Sequence, residues 1–142
     1  MSCKYAFPLL IVIILMSFSS CDPGVTYSRV LENNSQYDLE LHIFKRKDSL
    51  SCRYSYLSDS IIVEKKSVKT MAAYSGSGQT FEFENCESCA DSIVLKVIGY
   101  PALKSTVDLN EPAFWNFRVI QKTFKSGGTC ECRFIMTNER IK

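Results

Sequence analysis

The chain has 142 residues, enough for one ordinary domain, with 46% apolar and 23% charged residues. Seventeen basic and fifteen acidic side chains leave a formal charge of +2, which excludes the clustered basic surface that nucleic-acid binding needs. A single histidine excludes a multi-histidine metal site, and seven cysteines are the one unusual count.

In chain order, Lys4 is the only charge before Asp22, and an apolar run from Tyr5 to Phe18 follows it. As a helix, its 14 residues span about 21 Å at ~1.5 Å each, short of the roughly 30 Å hydrocarbon core. A positive residue, a short apolar run and then small residues form the layout of a secretory signal, here residues 1–20. Ser19-Ser20-Cys21 resembles the lipobox of bacterial lipoproteins, with Phe18 where that pattern has an aliphatic residue. The resemblance implies that Cys21 carries a diacylglyceryl group and becomes the first residue after cleavage. Several acyl chains would then hold the protein on a membrane.

Residues 21–25 read as the lipidated cysteine and a short tether, with Asp22-Pro23-Gly24 as a turn signal. One domain is expected over 26–142. Thr26–Val30 is a first strand, and Asn33-Asn34-Ser35 is a turn cluster. Tyr37–Phe44 alternates Tyr37, Leu39, Leu41 and Ile43 with Asp38, Glu40 and His42, the period of a half-buried strand. Residues 45–59 read as a loop. Ser60–Lys65 and Val68–Tyr74 read as a hairpin closed by Lys65-Lys66-Ser67. Thr80–Glu84 alternates Phe81 and Phe83 inward against Glu82 and Glu84. Ser92–Ile98 is almost continuously apolar and β-branched, the composition of a central strand. A short helix fits within 108–118, Phe117–Phe124 reads as a strand, and Thr129–Thr137 as the last strand. Short strands separated by turn residues predict an all-β fold, a compact antiparallel β-sandwich of immunoglobulin-like or similar type.

The Ser-Ser-Cys-Asp ending of the signal, the unit from Glu32 to Leu39 and the closing Phe134–Glu139 together resemble the small outer-membrane lipoproteins of Bacteroidota. That resemblance implies a β-rich domain tethered to the outer membrane, on its periplasmic or its outer side. It transfers no activity and no functional residue.

The cysteines are the main constellation. With Cys3 in the signal and Cys21 assigned to lipid, Cys52, Cys86, Cys89, Cys130 and Cys132 remain as disulfide candidates. An oxidising compartment favours bridges, and five cysteines leave one thiol over. Cys130 and Cys132 share a strand face and do not suit each other. A staple between the loop pair Cys86/Cys89 and the strand pair is the favoured pattern, with several pairings open. Two sharper alternatives use the same residues. One is a four-thiolate zinc site, for which Cys130-x-Cys132 is poor spacing. The other is a thiol-disulfide enzyme on Cys86-Glu87-Ser88-Cys89, where neighbouring Glu84, Glu87 and Asp91 would raise a thiol pKa instead of lowering it.

No other residue set has a catalytic pattern. His42 lies on the polar side of its strand with no nucleophile aimed at it. Gly76-Ser77-Gly78 lacks the lysine and helix start of a phosphate loop. Phe114, Trp115 and Phe117 read as core, or as the lining of a ligand groove. Asp48-Ser49, Asp59-Ser60 and Asp91-Ser92, each followed by an aliphatic residue, are similar to the O-glycosylation sites of exported Bacteroidota proteins. That similarity implies Ser49, Ser60 and Ser92 as acceptors, with plain turn chemistry as the alternative. The expectation is a non-enzymatic envelope lipoprotein without cofactor, a binding or structural module for an envelope protein or glycan. A thiol-disulfide or metal-dependent enzyme using Cys86 and Cys89, and a subunit held to a partner by a strand edge, are the alternatives.

Overall fold

A computed structural model of the chain describes residues 24–45, 55–77, 86, 88–122 and 127–142. Among them the fold is mostly β, with eight strands and no α-helix. They are β1 (Gly24–Asn33), β2 (Leu39–Lys45), β3 (Ser55–Tyr56), β4 (Ser60–Val63), β5 (Ser67–Ser77), β6 (Ala90–Val97), β7 (Asn116–Lys122) and β8 (Gly128–Met136). Five strands form one sheet in the order β3-β5-β1-β8-β7, and three form a second in the order β4-β2-β6.

Alternation builds both sheets. Cys130, Cys132, Phe134 and Met136 of β8 are buried, as are Leu39, Leu41 and Ile43 of β2. Inward residues of the two sheets meet in one hydrophobic cluster. Each large aliphatic or aromatic side chain buried there contributes about 1.5–3 kcal/mol.

The expected hairpin over 60–74 does not form. β4 pairs with β2, β5 pairs with β1, and the chain passes from one sheet to the other through Lys65 and Lys66. Lys66 has φ +58° there, a left-handed conformation that reverses the chain sharply. The inward residues of β4 and β5 thereby enter the shared cluster from different sheets.

Further expectations are corrected. The strands are not all antiparallel, because β1 and β8 run parallel from Val25↔Gly128 to Asn33↔Met136. β6 is an edge strand, not a central one, since among the described residues only β2 pairs with it, and Val94 stands 44% exposed. β3 interrupts the loop expected over 45–59. β1, Gly24–Asn33, is longer at both ends than the expected strand Thr26–Val30. The short helix expected within 108–118 is a 3-10 turn, Pro112–Phe114. The expected strand Thr80–Glu84 lies outside the described residues.

Candidate functional site

Cys86 and Cys132 form a disulfide with a Cα–Cα distance of 5.6 Å and a sequence separation of 46. This is the loop-to-strand staple expected from the cysteine spacing. Cys89 is disulfide-bonded as well. Cys21 and Cys52 lie outside the described residues. Cys130 carries the free thiol among the described residues, fully buried, 3.7 Å from the carbonyl of Thr26. Burial pushes this thiol up, away from the nucleophilic thiolate.

The bridge bears on both cysteine alternatives. With Cys86 bonded to Cys132, four thiolates for zinc are not present together. Cys86 and Cys89 are not bonded to each other, as a redox pair of that spacing would be in its oxidised form.

Around the bridge sits a group that the sequence did not reveal. Val25, Tyr27, Arg29, Leu31 and Asn33 share one buried face of β1, so Arg29 occupies a core position of that strand. Arg29 is fully buried; its Nη1 donates to the carbonyl of Cys86 at 3.2 Å. Its guanidinium carbon lies 3.8 Å from the centre of the Trp115 ring, a desolvated cation–π contact. Trp115 in turn donates its indole N–H to the carbonyl of Leu109 at 2.9 Å and packs on Phe134 at 5.3 Å. Trp115 is therefore core, Phe117 is half-buried against the same cluster, and Phe114 is exposed.

On the outer face of the smaller sheet, Ser60 donates its hydroxyl to Glu40 at 3.2 Å, and the other Glu40 oxygen lies 3.3 Å from His42 Nε2. These are the residue types of a catalytic triad in the wrong order. The carboxylate stands between serine and histidine, so His42 is not placed to take the hydroxyl proton. Ser60 is exposed at the start of β4, and Ser92 is half-buried on β6. Ser49 lies outside the described residues.

The outer face of the larger sheet carries an ion network. Glu131 accepts from Arg118 Nε and Arg133 Nε, both at 2.6 Å, and Arg133 reaches on to Glu32. Burial pushes the Glu131 carboxyl up, but the hydrogen bonds from Arg133 and Arg118 outweigh it and hold it below its ordinary value. Arg133, and after it Asn34, lowers Glu32. With each charge paired, this network is structural.

A concavity of about 940 Å³ lies between β6 and the segment 99–110. Its walls are mainly aliphatic, and its charged members have both signs: Lys96 and Lys104, Glu40 and Asp108. Size and lining are those of a binding groove. No helix among the described residues is long and apolar enough to cross a membrane. No family model, curated protein or solved structure matches the chain.

Proposed function

We propose that the chain is a non-enzymatic lipoprotein of the cell envelope, anchored in the outer membrane through Cys21, with its two sheets packed face to face as a sandwich. It acts as a binding or structural module. The observation that carries this reading is the buried Cys86–Cys132 bridge together with an oxidised Cys89. Such bridges persist in oxidising compartments. The short connection supports it too: β1 begins three residues after Cys21, so the tether reaches about 10 Å at most. The Glu32–Arg133–Glu131–Arg118 network is internally paired, and the groove beside β6 is the feature suited to a ligand.

The test is the intact mass of the membrane-extracted protein, alkylated after denaturation without reduction. An acylated Cys21 and one alkylated thiol are expected. An unmodified N-terminus overturns the anchor, and three or more alkylated thiols overturn the doubly bridged domain. Bridges that open in mild reductant would favour thiol-disulfide chemistry instead, since catalytic disulfides are the labile ones.

A further inference from the structure

We infer that the edge of β6 takes up an extended peptide as an added strand, within the groove walled by residues 99–110. The main-chain N–H of Ile43 goes to the carbonyl of Asp59 on the β4 side, at 2.8 Å. Ile43 and its antiparallel partner Ile93 therefore turn their polar groups away from each other. By the two-residue period, the N–H and C=O of Ile93, Leu95 and Val97 all face outward, off the β2 ladder.

Their fates differ. The Asn110 side chain satisfies both groups of Ile93, accepting at 2.7 Å and donating at 3.4 Å. The carbonyl of Val97 accepts from the Tyr100 N–H at 3.2 Å. The N–H and C=O of Leu95 and the N–H of Val97 have no partner among the described residues. Three open main-chain groups at strand spacing thus line an aliphatic groove.

A chain in extended conformation presents the complementary groups at the same spacing. Asn110 already stands in for one residue of such a strand and marks one end of the site. From Leu95 to Val97, the last residue of β6, the open edge spans about 7 Å at ~3.3 Å per residue, facing roughly three residues of an extended chain. The two lysines and two acids around it cancel, so recognition rests on main-chain pairing and aliphatic side chains, not on charge. The segment 99–110 walls the groove beside this edge, which favours a single extended chain over the edge of a second sheet. The inference deepens the binding-module reading and rests on it for the biological role. Peptide binding and acylation of Cys21 are separate measurements, so either can fail alone.

The experiment immobilises the full chain in detergent micelles and selects from a phage-displayed library of random peptides. The selected sequence is then made synthetically and added to ¹⁵N-labelled protein. Selected peptides should carry aliphatic residues at alternate positions. Amide exchange at Leu95 and Val97, fast in the free protein, should slow roughly tenfold or more on binding. Leu95→Pro removes the outward donor from an edge strand, where proline is tolerated, and should weaken binding by roughly tenfold or more. Leu103→Asp on the far wall should do the same and serves if Leu95→Pro does not fold. The inference fails if no peptide is enriched over background, or if binding is unchanged in the folded variants. It also fails if the Leu95 amide is protected in the free monomer, or becomes protected as protein concentration rises, which would assign the edge to a second copy.

Discussion

Asn33 stands where β1 ends, and its side-chain amide spans three segments. Nδ2 donates to the carbonyls of Tyr37, Val63 and Glu64 at 2.8–3.2 Å, and Oδ1 accepts from the N–H and hydroxyl of Ser35. One buried residue thereby ties the last turn of the larger sheet to β2 and β4 of the smaller one. Asn33→Ala leaves several buried groups unpaired and should cost about 3 kcal/mol, read as a lower urea midpoint with an unchanged slope. The sequence marks Asn33-Asn34-Ser35 as a turn, which it is. It does not show that one of these side chains points inward to carbonyls 30 residues away. Arg29 is hidden for a related reason: it falls on the inward face of β1 between Tyr27 and Leu31, where a cationic side chain interrupts the apolar pattern that marks a core position. Cys130 was legible as a cysteine and not as the unbridged one, because two cysteines on one strand face differ only in what lies opposite. A maleimide should leave native protein untouched and label Cys130 once on unfolding.

The ion network sets the acid limb of stability. Glu32 and Glu131 have lowered carboxyl pKa values in the folded chain, against 4.5 for the unconstrained group. Groups of this kind contribute fully above the unfolded value, and the contribution is lost as pH falls through the lower folded values. Glu131→Gln should therefore cost about 2 kcal/mol near pH 7 and progressively less below pH 4.5, as thermal melts across that range will register.

At the scale of elements, most strand positions could be read from alternation, and their neighbours could not. Ser92–Ile98 has the composition of a strand covered on both sides, yet β6 is an edge. The apolar excess faces the groove and solvent instead of a second neighbour. The failed hairpin has a similar origin. Two strands joined by a tight turn usually pair, but a left-handed Lys66 directs β5 into the other sheet. Lys66→Gly should relieve that conformation; the Lys66 ammonium, 2.6 Å from the Asn34 carbonyl, offsets part of the gain, so the melting point should change little. Asn110→Ala has a clearer direction. It uncovers both polar groups of Ile93 and should cost about 1–2 kcal/mol. It should also raise self-association, because a longer open edge invites pairing, visible as a concentration-dependent sedimentation coefficient.

For the whole molecule, the Cys86–Cys132 bridge closes a loop of 46 residues. Replacing both cysteines by serine should lower stability by about 4 kcal/mol on the chain-entropy estimate, measured by denaturant unfolding of the otherwise oxidised protein. The all-β class and the loop-to-strand staple were accessible from strand-like alternation and cysteine spacing. The parallel junction was not, because nothing local in β1 or β8 records which strand arrives beside it.

That junction also fixes an order of events. β8 lies between β1 and β7, so β1 has one flank empty until β8 has been made. The larger sheet can close only when β8 arrives, and the bridge to Cys132 has to wait with it. A nascent chain that has not yet reached β8 would present the open flank of β1 to whatever meets it.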